Sequence, residues 1–282
     1  MDNDFELTII QVIKKYGLLE NKKHSKSLGQ HFLCDNSLLD KIVSCALPFG
    51  NSTLVEIGPG PCGLTRSIIK FAKGNEIICI EKDESLKPVH ENIKRNTVAD
   101  VKFIYGDALK IKLKDLTAKK ITIISNLPYN VGTKILLNWF CELNKINQMV
   151  LMFQKEVAER IYAKEGTKDY GRLSVISQLL CDVEKCFDVS RLAFIPPPKV
   201  ESTVIKLIPK ADRPFDIRNL ERLTAICFQH RRKTIFSILK KIYPDIISKV
   251  LNACAIDPLS RPENISPQKF WELSETMTKL FI

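Results

Sequence analysis

From residue 53 the chain alternates short apolar runs with segments whose apolar residues fall three and four apart. The runs 53–57, 76–80, 101–105, 121–125 and 148–153 have the length and β-branched character of strands. Between them, 64–72 and 134–143 keep helical spacing. This alternation predicts an α/β architecture: a parallel sheet with helices on both faces. Two later runs, 185–194 and 203–208, are expected as an antiparallel hairpin at the sheet edge. Pro196-Pro197-Pro198 between them cannot donate to a ladder, so the sheet must break there. Upstream, Phe5, Ile9, Ile10, Ile13 and Tyr16 trace one face of a short amphipathic helix. Beyond about Pro209 the strand signal ends. Residues 217–282 carry helical patterns punctuated by Pro244, Pro258, Pro262 and Pro267, with Ser266-Pro267 reading as an N-cap followed by proline at the first helical position. The expected organisation is an N-terminal helical extension (1–21), a sheet domain (22–210) and a small all-helical domain (211–282).

Charge sharpens this picture. The 282 residues hold 43 Lys+Arg against 32 Asp+Glu, a formal +11, and a surface that positive suits a polyanion such as nucleic acid or acidic lipid. Nine scattered cysteines form no C-x-x-C pair, which points to reduced thiols in a cytoplasmic compartment and away from a disulfide framework or a zinc site. Asp2 and Asp4 open the chain with no basic segment and apolar core behind them, and no apolar run reaches about 18 residues, so neither a signal peptide nor a membrane span is expected.

Candidate chemistry collects at the strand ends. Gly58-Pro59-Gly60-Pro61-Cys62-Gly63 fits G-x-G-x-x-G between a strand and a helix. Gly58 permits the tight turn, Gly60 allows close approach of a ligand, and Gly63 lets helix and strand pack closely. Alone this motif suits NAD, FAD or S-adenosylmethionine equally. About 20 residues on, Glu81 is placed to accept from both ribose hydroxyls of an adenosine cofactor, with Asp83 as the alternative. Asp107, after the third strand, is placed to accept from the adenine amino group; a plain Gly-Asp turn is the other reading.

Asn126-Leu127-Pro128-Tyr129 follows the fourth strand and suits a harder problem. The lone pair of an exocyclic or amide nitrogen is delocalised, so such a nitrogen is a poor nucleophile. It needs no strong base if its N–H bonds are held by acceptors while the lone pair is aimed at a methyl donor. The Asn126 side-chain oxygen is one acceptor, and the Leu127 or Pro128 carbonyl, stiffened by proline, is the other. Tyr129 offers a face on which a base stacks, worth about 1–3 kcal/mol. A Pro-Tyr turn closing a strand is the structural alternative. No His/Cys/Asp cluster with metal-ligand spacing is visible, so no metal is expected.

Together, Gly29-Gln30-His31-Phe32-Leu33, Glu56-Ile57-Gly58-Pro59-Gly60, Asn126-Leu127-Pro128-Tyr129-Asn130, Phe153-Gln154-Lys155-Glu156-Val157-Ala158 and the stretch from Phe194 through Pro196-Pro197-Pro198-Lys199 to Ser202 resemble the small-subunit ribosomal RNA adenine N6,N6-dimethyltransferase family. The resemblance runs from about Ser25 to the C-terminus. It implies a Rossmann-like methyltransferase sheet, S-adenosylmethionine as methyl donor, and dimethylation of two adjacent adenosines in the 3'-terminal hairpin loop of small-subunit rRNA within an assembling 30S-type particle, by a monomer. It also implies that His31 and Leu33 line the donor pocket with Gly58, Gly60, Glu81, Asp107 and Asn126. Phe194 would stack on the target adenine opposite Tyr129, and Arg231, Arg232 and Lys233, in the basic segment opening the helical domain, would contact RNA phosphates. Ser237 departs from the family pattern, where Asn is expected.

Three other readings stay open at this level. One is a large-subunit rRNA adenine methyltransferase of the macrolide-resistance type, against which the triple proline and the Arg-Arg-Lys segment speak. Another is a non-enzymatic RNA- or DNA-binding assembly or transcription factor on the same fold, against which the intact Asn126 and Glu81 speak. The last is a nicotinamide enzyme, for which no hydride site is evident.

Overall fold

The structure, a computed structural model, describes residues 3–19, 31–214 and 216–280. The basic patch Lys22, Lys23, His24 and Lys26 and the motif residues Gly29 and Gln30 lie outside them.

Seven strands form one sheet in the order β4-β3-β2-β5-β6-β9-β7. Here β2 is Thr53–Ile57, β3 Ile77–Glu81, β4 Val101–Tyr105, β5 Ile121–Asn126, β6 Ile146–Gln154, β7 Cys181–Val189 and β9 Ser202–Pro209. β4, β3, β2, β5 and β6 are parallel to one another, and β9 runs antiparallel to β6. β2 and β3 are buried throughout, which is why they read as unbroken apolar runs. The helices Asn36–Ser44 and Gly63–Phe71 lay Leu39, Ile42, Val43, Leu64 and Ile68 over Leu54, Ile77, Cys79 and Ile124 of the sheet in one core.

The expected strand over 185–194 is corrected at both ends. It begins at Cys181 and stops at Val189, because Ser190 caps a short 3-10 turn, Arg191–Ala193. The chain then forms β8 (Phe194–Ile195), which pairs with β1 (Phe32–Leu33) in a separate two-stranded antiparallel sheet. Residues near the start of the sheet domain are thus stitched to residues near its end.

The N-terminal segment is a docked element. A 3-10 turn, Asp4–Glu6, leads into the helix Ile9–Lys15, which a Thr8/Gln11 capping box opens. Ile9, Val12 and Ile13 are buried, whereas Ile10, expected on the same face, is 41% exposed. Val12 packs with Cys62, Leu86, Val89 and Ile93. Asp4 is fully buried: it accepts from Lys15 Nζ and Tyr16 Oη, each at 2.8 Å, while its carbonyl and that of Leu7 accept from Arg66 Nη1 at 3.0 and 2.6 Å.

The described residues fall into two compact units. The first runs to Lys155 and takes in Lys185–Ile208; the second combines Glu156–Glu184 with residues from Pro209 onward. Residues 156–184, expected within the sheet domain, therefore cluster with the C-terminal helices. In this second unit the helices Arg172–Leu180, Arg218–Gln229 and Pro267–Leu280 pack on one another. Buried Tyr170 donates its hydroxyl to the Ile265 carbonyl at 2.8 Å, and Ser266 Oγ accepts from Lys269 N–H at 3.2 Å, the expected cap.

Candidate active site

The ends of β2, β3, β4 and β5 open onto one cleft of about 1180 Å³, its open mouth included. Clefts at strand carboxyl ends are where open α/β sheets hold ligands. His31, Leu33, Gly58, Gly60, Glu81, Asp107 and all four residues Asn126-Leu127-Pro128-Tyr129 line it.

The glycine turn is shaped for close approach. Gly58 and Gly60 have φ of +67° and +54°, where side chains are strained. A Cβ on Gly60 would stand 3.2 Å from the Phe32 ring, and one on Gly58 would stand 3.8 Å from Pro128 Cγ. The second distance places the turn directly against the Asn-Leu-Pro-Tyr segment. Gly63 lets its helix approach the backbone of β1, the Leu33 carbonyl lying 3.4 Å from where a Cβ would be, and also makes room for Ile9 and Leu39, each 3.3 Å from that point.

Glu81 closes β3. Its Oε2 accepts from Gly60 N–H at 3.1 Å, and its Oε1 accepts from Lys82 and Asp83 N–H at 2.8 and 2.9 Å. Burial raises its pKa, while the three amides oppose that shift. Asp83, the alternative, turns away to cap Ser85. Asp107 accepts from Leu109 N–H at 3.0 Å and pairs with Lys82 Nζ at 3.0 Å; these contacts hold its carboxyl below the usual range. Lys82 itself lines the cleft, a placement that sequence reasoning did not single out. Glu56, beneath the turn, is fully buried; loss of solvent pushes its pKa up to about 8 even though Thr65 Oγ1 donates to it at 2.7 Å.

At the acceptor side, Ser125 Oγ donates to the Ile57 carbonyl at 2.8 Å and ties the end of β5 to the end of β2. The next residue, Asn126, has a buried Oδ1 with no hydrogen-bond partner. Buried acceptors are rarely left so, and one on the wall of a cleft fits a ligand N–H. The Pro128 carbonyl already accepts from Gly132 N–H at 2.8 Å and Val131 N–H at 3.2 Å, opening the helix Gly132–Phe140. Tyr129 Oη and Ser202 Oγ share a hydrogen bond of 2.7 Å that fixes the ring.

The ring beside Tyr129 is His31, with centroids 5.7 Å apart and planes at 28°. Its Nδ1–H donates to the Pro196 carbonyl at 2.7 Å, so the triple proline anchors the motif histidine. Phe194 is not brought into the cleft. It pairs with Leu33 in the small sheet and its side chain is 1% exposed within the apolar core. In this structure it cannot face a base without leaving that core.

In the second unit, Arg231, Arg232 and Lys233 occupy the turn between the helices Arg218–Gln229 and Ile235–Leu239, which corrects their placement at the start of a domain. Arg231 is engaged: it pairs with Glu263 at 2.9 Å and donates to the Lys168 carbonyl at 2.9 Å. Arg232 and Lys233 are exposed. Ser237 supports the local turn: its backbone N–H donates to Thr234 Oγ1 at 3.2 Å and its Oγ donates to the Thr234 carbonyl at 2.9 Å.

This strand order, with a glycine turn after β2 and an acidic residue closing β3, defines an S-adenosylmethionine-dependent methyltransferase fold. A 23S rRNA methyltransferase shares it, with a TM-score of 0.65 at 23% identity over 88% of this chain and 99% of that one. A dimethyladenosine transferase from Plasmodium falciparum superposes with a TM-score of 0.77 at 27% identity, over 89% of this chain and 99% of that one. The ribosomal RNA small subunit methyltransferase A of Rhodospirillum rubrum is 40% identical over 269 residues, 95% of this chain and 91% of that protein. The family model for ribosomal RNA adenine dimethylase matches residues 21–279, and the chain belongs to that family.

Proposed function

We propose that this protein transfers methyl groups from S-adenosylmethionine to N6 of two adjacent adenosines in the 3'-terminal hairpin loop of small-subunit rRNA, acting as a cytoplasmic monomer on an assembling 30S-type particle and without a metal. The observation that carries this reading is the buried, partnerless Asn126 Oδ1 on the cleft wall beside the glycine turn. The donor supplies an electrophilic methyl on a sulfonium. Gly58 and Gly60 leave room for it, Glu81 accepts from its ribose hydroxyls with the lone pairs its three amides leave over, Asp107 takes the adenine side, and His31 and Leu33 close the pocket.

The target base is turned out of its stack to reach the cleft. Asn126 Oδ1 holds one N6–H. Because the Pro128 oxygen is already occupied by two amides, the Leu127 carbonyl is the better second acceptor. With both N–H bonds held, the nitrogen lone pair lies along the sulfur–methyl axis, and positioning of this kind supplies about 7–11 kcal/mol of barrier reduction. The N6–carbon bond would form as the sulfur–methyl bond breaks and S-adenosylhomocysteine leaves, with the extra N6 proton released to solvent; a single N–H then remains, and one acceptor suffices for the second transfer. Arg232 and Lys233 are the phosphate contacts of the helical unit. Small-subunit rRNA incubated with protein and labelled donor should yield dimethyladenosine at two neighbouring positions by mass spectrometry. Label on large-subunit rRNA instead, or none, would refute the assignment.

A further inference from the structure

The carbonyl and the amide of Gly60 are held by different partners. Its N–H goes to Glu81, whereas its oxygen lies 3.0 Å from Nε2 of His90, a residue of the helix Lys87–Arg95 that does not line the cleft. His90 is 1% exposed. Its ring lies flat on Phe103, 4.4 Å between centroids and 7° between planes, and Nδ1 is 2.9 Å from Tyr105 Oη. A carbonyl oxygen can only accept, so Nε2 carries the proton. In the neutral ring Nδ1 is then the acceptor, and the Tyr105 hydroxyl donates to it. Burial lowers the His90 pKa to about 4, which keeps the ring in this neutral form. Tyr105 is the last residue of β4, immediately before Gly106 and Asp107 of the cleft wall.

We propose that His90 is a positioning residue for the methyl donor: through Gly60 O on one side and Tyr105 Oη on the other, it ties the glycine turn after β2 to the end of β4 and so sets the distance between the two walls of the donor pocket. Gly60 sits at positive φ and lines the cleft. The two peptide units on either side of the Gly60 Cα are clamped, the first at its N–H by Glu81 and the second at its C=O by His90, which fixes the backbone torsions of Gly60; a rotation there would swing the cradle away from its ligand. No motif flags this histidine, because it acts from beneath the site.

The inference rests on the donor assignment above, so the test separates the two. Affinities for S-adenosylmethionine and for small-subunit rRNA are measured by calorimetry and filter binding on wild type, His90→Phe, His90→Gln and Tyr105→Phe. His90→Phe keeps a flat ring against Phe103 and loses both hydrogen bonds; donor affinity should fall about tenfold, the range expected for one or two buried hydrogen bonds. RNA affinity should not change. Tyr105→Phe should give a smaller loss of donor affinity, and His90→Gln, which can still donate to Gly60 O, should recover part of it. A purely structural role would lower the melting temperature while leaving donor affinity of the folded protein unchanged, and that result in Tyr105→Phe and His90→Phe overturns the proposal. Should His90→Phe fail to fold, the Tyr105→Phe and His90→Gln affinities decide by the same criterion. Wild-type protein with no measurable donor affinity overturns both the donor assignment and the role of His90.

Discussion

Two residues of the cleft act through what they lack. Asn126 has an acceptor with nothing to accept, and Glu56 has a carboxyl with no cation. Asn126→Ala removes the acceptor without touching the glycine turn, so transfer should fall by about two orders of magnitude or more, in line with single oxyanion-type groups elsewhere. Donor affinity measured by equilibrium dialysis should be retained; normal dimethylation by this variant would exclude the role. Glu56 predicts a pH dependence. Its folded pKa, about 8, lies above the unfolded value of about 4.3, so the folded state binds the extra proton between them and stability falls as pH rises through that interval. Glu81 has the same sign. His90 opposes them only below its unfolded value of about 6.5, because its folded pKa is depressed. The window from about 6.5 to 8 therefore isolates Glu56 from His90. Glu56→Gln should flatten the slope of urea-unfolding free energy there and leave the variant more stable than wild type at pH 8.

Among the elements, the N-terminal helix has the clearest energetic role. Ile9 fills the space that Gly63 leaves at the start of the helix Gly63–Phe71. Ile9→Ala should cost about 2–5 kcal/mol, as a buried large-to-small change. Gly63→Ala should cost about 1–3 kcal/mol by overpacking against Ile9 and Leu39. Both are read from denaturant midpoints, and equal stability to wild type in either would mean the helix is not docked as described. Of the parallel strands, β2 and β3 were legible because strands buried on both faces are continuous apolar runs. The cleft motifs were legible because a glycine turn and Asn126-Leu127-Pro128-Tyr129 recur at strand ends of one alternating pattern, a combination that turn chemistry alone does not call for. The β1–β8 pairing was not: two residues on each side carry no periodicity, and their partners lie far apart in sequence. Phe194 was misplaced for the same reason, since its burial follows from that pairing. His90 was invisible because an isolated histidine in a polar helix has no pattern to betray it.

For the molecule as a whole, the +11 balance predicts steep electrostatics. RNA affinity should decline linearly in log–log with salt, each phosphate contact contributing a slope of about 0.7–0.9. Arg232→Ala and Lys233→Ala should each reduce that slope by about one contact. Arg231→Ala should instead lower stability with little change in slope, because its charge is already spent on Glu263. A salt-insensitive complex would contradict the assignment of a phosphate-reading surface. The second unit, finally, is assembled from two stretches of chain that β7, β8 and β9 interrupt. During synthesis the sheet unit is complete once Ile208 has emerged from the ribosome, whereas the helix Arg172–Leu180 must wait for the C-terminal segment to be translated before its apolar side is covered. A truncation after residue 210 would leave that helix stranded rather than yield a trimmed catalytic fragment.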